Sequence, residues 1–470
     1  MNRFRRFIGT KEFYRTVVAL ALPLLLQNAV STFVNLLDNL MVGRIGTESM
    51  SGVSIVNQLL FVFNLCLFGG TGGAGIFGAQ FYGKGDHRGL RHTLRFNLVL
   101  VLGFTAAAVG ALLLWKDVFI GAFLHESGSG GDLARTLSEG RDYLRLMLPG
   151  LPAFALTTAY VSIIRVTGDN RLPMRASLTA IAVNLAGNYI LIYGKLGAPA
   201  LGVRGAAIAT VLSRYVELSL ILLGTHGRKD PPEYIRGLYR DFSVPAALAR
   251  DILRRGAPLL GNELLWSLGM TMLTQCYSYR GLDAVAALNI TNTVANLFNT
   301  VFFTMGNVVG VIIGNMLGAE EYRRAKAAVP QLMALAFCAC GCVGLVFFFL
   351  APLAPRLYNT EPEIMALAAS LMRINACMMP LIGIVNCSYW TIRAGGRTFL
   401  TMLSDSAFTW VISVPVAWVS IHALGLSLPG AYLAVNLADT LKLVMGVILI
   451  RKGIWIQNLV GGAGPEKGEV

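Results

Sequence analysis

Charge is scarce in this chain. Only 14% of its 470 residues are charged, against 55% hydrophobic, which is more apolar surface than a soluble core of that size can hide. The expected solvent is a bilayer. Patterns that carry covalent chemistry are missing too. The five His residues (His87, His92, His125, His226 and His422) are scattered over loops and helix ends, so no Ser/His/Asp or metal-binding cluster is expected. No residue is assigned a catalytic role, and the chain is not expected to be an enzyme. Seven Cys lie in apolar runs. Cys338, Cys340 and Cys342 point to different sides of a helix, which argues against both a disulfide frame and a metal site. The run from Gly69 to Gly78 lacks the Lys-Ser or Lys-Thr that closes a phosphate loop and sits in an apolar stretch. Close helix packing is its expected use; ATP hydrolysis and a bound cofactor are not expected. A cleavable leader is not expected either, because the first apolar run is too long for a signal-peptide core.

What the chain does have is long apolar runs. Windows of about 20 residues with few charges locate about twelve spans, beginning near positions 16, 53, 96, 142, 174, 205, 256, 286, 329, 365, 401 and 429. The net charge of +14 does not point to nucleic acid, because the basic residues alternate between loops as membrane topology requires. About 27 of the 39 Lys and Arg fall in the two termini and the even-numbered loops. Both termini are therefore expected in the cytoplasm, in a multi-pass protein of a bacterial cytoplasmic membrane.

The chain also repeats itself. Pro23, Leu24 and Leu25 return 235 positions later as Pro258, Leu259 and Leu260; Asn57, Asn64, Gly83 and Arg88 return as Asn292, Asn299, Gly318 and Arg323. Pro152, Arg165 and Gly168 return as Pro380, Arg393 and Gly396 at a spacing of 228, and Gly205 returns as Gly430 at 225. An all-α integral membrane fold follows, of about twelve helices in two pseudo-symmetric six-helix halves with a central cleft. The expected bounds are 1–224 for the first half, 225–255 for a basic, Pro-containing linker, 256–450 for the second half and 451–470 for a cytoplasmic tail. An even number of helices gives both halves one orientation, the arrangement of parallel-repeat carriers. Transport by alternating access is the leading class, and a rigid scaffold or channel is the plainer alternative.

The charges do not repeat. Asp38 faces Leu273 in the second copy, and Glu263 faces Asn28 in the first. Asp38 has no charged residue before it in its span, and an intramembrane carboxylate is a functional site by default; the alternative is an interfacial Asp that reaches water. Asn184 and Asn188 lie one helical turn apart and offer oxygens on one face, for a cation or as glue between helices. Glu263, with Trp266 one turn on, could attract an organic cation or snorkel to the surface. Asn57, Asn64, Asn292 and Asn299 could wet a cleft wall or bind helices together. Arg214 with Glu217, and Asp439 with Lys442, are i,i+3 pairs that can neutralise themselves, and Asp405 is expected near the membrane surface in a structural role.

The segment ALPLLLQNAVSTFVNLLDNLMVGRIG, the loop GAQFYGKGDHR with its echo GNMLGAEEYRR, and the loops IIRVTGDNRLPM and TIRAGGRTF resemble the multidrug and toxic compound extrusion (MATE) family, within the MOP superfamily of flippases. The resemblance covers nearly the whole chain. It implies secondary antiport: export of cationic or amphipathic organic compounds in exchange for a proton or a sodium ion. A monomer is expected. It further implies a cation-coupling site, with sodium as a possible metal, at Asp38, Asn184 and Asn188, and a bending proline at Pro23. One position departs from the pattern: Asn188 stands where relatives carry an Asp and holds no charge, which favours a proton on Asp38 over sodium. A lipid-linked saccharide flippase is the alternative reading. A membrane subunit of a proton-pumping complex is a third.

Overall fold

The computed structural model describes residues 7–43, 47–115, 118, 133–358 and 360–461. The described chain is all helix. Its elements are α1 Lys11–Gly43, α2 Thr47–Lys84, α3 His87–Leu114, α4 Leu133–Met147, α5 Gly150–Val166, α6 Arg171–Tyr193 and α7 Val203–His226. After a connection come α8 Ala246–Ser278, α9 Leu282–Gly318, α10 Tyr322–Leu350, α11 Pro362–Ala394, α12 Thr398–Ala423 and α13 Leu428–Arg451.

Ten of these, among the described residues, are long and apolar enough to cross a membrane, and the pair α4–α5, bent by 50°, makes an eleventh. Length does not separate α8 from them, since it has 33 residues; Asn262 and Glu263 in its apolar stretch lower its hydropathy. The helices start and stop where local chemistry dictates. The Thr10 hydroxyl accepts a hydrogen bond of 3.2 Å from the Phe13 amide and so caps one of the free amides of α1. α6 ends at Gly194, whose φ of 66° is costly for any residue with a Cβ.

The described residues form two compact units. The N-terminal unit takes Leu26–Gly78 and His87–Asp251; the C-terminal unit takes everything from Ile252, together with the chain up to Leu25 and Ala79–Asp86. These bounds differ from contiguous halves at the first turns of α1 and the last turns of α2. The division of α1 falls two residues after Pro23. Before it, Val17, Leu20, Ala21 and Leu24 are buried in one apolar cluster with Met305, Val309, Ile313 and Leu332.

In the C-terminal unit the last turns of α2 and α9 cross at their glycines. A Cβ on Gly83 would overlap the backbone of Asn315, and one on Gly318 would overlap the backbone of Gln80. Gly83 and Gly318 are repeat partners, and so are Gln80 and Asn315, so the crossing is itself two-fold. Gln80 is fully buried and ties the crossing to the chain end: its amide nitrogen donates to the Ala394 and Gln457 carbonyls at 3.0 and 3.2 Å, and its oxygen accepts from the Leu459 amide at 2.6 Å. The segment after α13 is thus part of the fold, with Trp455 1% exposed. Gly318→Val should cost about 3 kcal/mol or more, because backbone rather than a flexible side chain must give way; thermal unfolding of the purified variant in detergent checks this.

The connection between α7 and α8 is docked as well. Arg95 donates to the Leu238 carbonyl and the Gly237 carbonyl, each at 2.7 Å, and Tyr234, Ile235 and Leu238 are buried.

Candidate functional site

The buried stripe of α6 runs through Pro173, Ser177, Ala180, Asn184, Asn188 and Ile192. That spacing of three and four places both amides on the face packed in the protein. The Asn188 amide donates to the Asn184 oxygen at 3.4 Å, and the Asn184 amide donates to Thr210 Oγ1 on α7 at 3.2 Å. Both asparagines are under 10% exposed. The Tyr193 hydroxyl, five residues beyond Asn188, donates to the Met41 carbonyl at 3.3 Å, so the turn of α1 that follows Asp38 lies alongside this end of α6. The Asp38 side chain is outside the described residues.

Of the residues read as cleft wall, Asn57 and Asn292 are exposed, whereas Asn64 and Asn299 are half-buried. Each repeat pair therefore shares one environment. On α9 the exposed Asn289, Asn292, Thr293 and Asn296 cluster together; exposed amides in a span are tolerated against water and not against hydrocarbon.

Glu263 and Trp266 are half-buried on α8. The Glu263 carboxylate is not isolated: Arg393 and Asp405 are its electrostatic neighbours. Next to it, Asn262 is 2% exposed and organises a network. Its amide donates to Asp405 Oδ2 at 3.2 Å and to the Tyr389 hydroxyl at 3.3 Å, and its oxygen accepts from Ser406 at 2.6 Å.

Two expectations change here. The i,i+3 pair Asp439–Lys442 forms, but it is shared: Lys442 Nζ lies 3.7 Å from Asp439 Oδ1 and 3.7 Å from Asp405 Oδ1. Asp405 is accordingly a partner in a polar network of α8, α11, α12 and α13 rather than a surface residue. The geometry of α12 accounts for this. It includes π turns at Leu403–Ala407, Thr409–Ser413 and Val419–Ala423, and residues four apart along it share one face. Asp405 thus presents one edge with Thr409, which hydrogen-bonds Lys442 at 3.3 Å, and Ser413, which donates to Asp439 at 2.7 Å. Arg393, read as a loop residue, is 4% exposed at the end of α11, with its guanidinium 4.5 Å from the centre of the Trp390 ring.

A family model described as MatE matches residues 23–190 and again 258–419, so its two matches begin at the repeated prolines and together cover most of the chain. The chain belongs to the MatE family. A probable multidrug resistance protein NorM of Thermotoga maritima is 25% identical over 451 residues, covering 96% of this chain and 94% of that protein. A probable multidrug resistance protein YoeA of Bacillus subtilis is 25% identical over 435 residues, with 92% of each chain covered. Among solved structures, one described as the outward-facing conformation of a multidrug resistance MATE family transporter of the MOP superfamily superposes with a TM-score of 0.85 at 22% identity, over 97% of this chain and 98% of that one. At that identity the likeness shows a MATE fold, and it agrees with the all-helical architecture and the repeat.

Proposed function

We propose that this MATE-family chain is a secondary antiporter that exports cationic or amphipathic organic compounds in exchange for a proton, alternating access between its two halves. Family membership and the multidrug resistance names of relatives of nearly the same length support the class of substrate. The coupling reading rests on one observation above all: the buried Asn184–Asn188 pair, with the half-buried Thr210, lies at the end of α6 that Tyr193 ties to the α1 turn following Asp38. Amide and hydroxyl oxygens there can solvate a protonated or cation-bound carboxylate in place of water. With Asn188 supplying no charge, one carboxylate at Asp38 suits a proton better than sodium, which is held by several oxygens and gains from each formal negative charge. Pro23 leaves α1 without one backbone hydrogen bond, two residues before the point where the helix passes from one unit to the other. In this reading α1 bends there as Asp38 exchanges proton for substrate, and a ligand that prefers one bend shifts the population by its differential affinity.

The protein is read as a monomer in a bacterial cytoplasmic membrane with both termini inside, and without nucleic-acid partners. Reconstituted vesicles with pH and sodium gradients imposed separately test the coupling. The pH gradient alone should drive uptake of a fluorescent organic cation; a response to the sodium gradient alone contradicts it.

A further inference from the structure

The repeat places equivalent positions inside each unit, and their charges run in opposite senses. In the C-terminal unit, Arg393 and Lys442 face three carboxylates, Glu263, Asp405 and Asp439. In the N-terminal unit the equivalents of Arg393, Asp405, Asp439 and Lys442 are Arg165, Ser177, Arg214 and Glu217, at spacings of 228, 228, 225 and 225. There Glu217 accepts a hydrogen bond from Ser177 and is in electrostatic reach of both Arg214 and Arg165. Two guanidiniums thus share one carboxylate among the described residues. Arg165 also donates to Gln27 Oε1 at 3.2 Å, and Arg214 lies 4.1 Å from the centre of the Phe154 ring. Neither interaction supplies a counter-charge. Arg165 Nε and Arg214 Nε have no hydrogen-bond partner among the described residues.

The direction of the cluster follows from α7. Its exposed residues Leu212, Tyr215 and Leu223 form one stripe, and at about 100° per residue Thr210, Arg214 and Glu217 fall on the opposite side. Arg214 is only half-buried there. A guanidinium in mid-span, turned from lipid and incompletely covered, meets water or a ligand. Its planar fork of donors matches a carboxylate or phosphate.

We propose that Arg214, supported by Arg165, forms a subsite for an anionic group, carboxylate or phosphate, on the transported compound. The proposal rests on the transport reading for the identity of the ligand, and its test is a binding measurement that needs no gradient.

The probes are a rhodamine carrying a free carboxylate and its methyl ester, which differ only in that charge. Binding to the purified full chain in phosphatidylcholine nanodiscs is read by fluorescence polarisation. Arg214→Gln should weaken binding of the free acid about tenfold or more, the loss of a charge-assisted hydrogen bond, and leave the ester within about twofold. Arg214→Lys keeps the charge without the planar fork and should retain only part of the free-acid affinity. Glu217→Gln removes the competing carboxylate and should tighten the free acid but not the ester, which keeps the test decisive where the Arg214 variant fails to fold. Equal losses for both probes, or no response of the free acid to Glu217→Gln, overturn the subsite. Phosphatidylglycerol that weakens free-acid binding in the unaltered chain, but not in Arg214→Gln, assigns the same guanidinium to a lipid headgroup and overturns the substrate as its occupant. Ester transport that persists without free-acid binding removes the subsite and leaves the antiport reading standing; loss of gradient dependence with free-acid binding intact does the reverse.

Discussion

Asp38→Asn should abolish gradient-driven efflux, lowering the initial rate in proteoliposomes by at least about 100-fold, while leaving the purified protein folded. The substitution keeps the size and hydrogen-bonding capacity of the side chain and removes only its ability to exchange a proton. Within the proposed coupling set no other group can take over. Asn184, Asn188 and Thr210 hold one another through hydrogen bonds of 3.2 and 3.4 Å, and none of the three titrates. The N-terminal unit does contain another carboxylate in its spans, Glu217, but that group is engaged by Ser177, Arg214 and Arg165. Removing the acid at Asp38 therefore removes the exchangeable charge rather than moving it. Substrate binding measured without a gradient should survive, because a coupling defect and a binding defect are separable. An unchanged melting temperature beside the lost efflux identifies the effect as functional.

Lys442→Met should strongly destabilise the C-terminal unit. Lys442 is 13% exposed and lies 3.7 Å from both Asp405 and Asp439. Met fills nearly the same volume but leaves two carboxylates facing one another across α12 and α13 without the ammonium between them. Breaking a buried ion pair from one side costs about 3–5 kcal/mol; the partial exposure of Asp439, 39%, puts this case at the lower end, about 3 kcal/mol. The second variant discriminates between charge and packing. Asp405→Asn with Lys442→Met should recover much of the loss, since one of the stranded carboxylates is gone and Asn262 can still bond to the amide; a strictly additive double variant would assign the effect to packing. Thermal unfolding of both in detergent provides the comparison.

The helices and the duplication were legible because both are written along the chain: hydropathy marks the spans, and the spacing of 235 from Pro23 to Pro258 marks the copies. Asn184 and Asn188 were legible as one face because a helix turns in 3.6 residues. The passage of α1 from one unit to the other after Leu25 was not. Nothing in the local pattern changes at that point; what changes is the set of distant residues against which Val17, Leu20 and Leu24 are buried. The place of Asp405 was not legible for a related reason. The spacing of three between Asp439 and Lys442 satisfies the local rule for a helical ion pair, which forms at 3.7 Å, whereas Asp405 reaches the same ammonium from the preceding helix. The repeat did carry the missing signal. At a spacing of 228 Asp405 falls opposite Ser177, and in each unit that position reaches the helix that follows: Ser177 bonds Glu217, and Asp405 pairs with Lys442.

Proton release provides the most direct measurement. Purified chain in weakly buffered detergent solution, mixed with a substrate cation, should release protons as the cation binds, and Asp38→Asn should bind the same cation with none released. Binding without proton release in the unaltered chain, or release that persists in Asp38→Asn, would contradict the account.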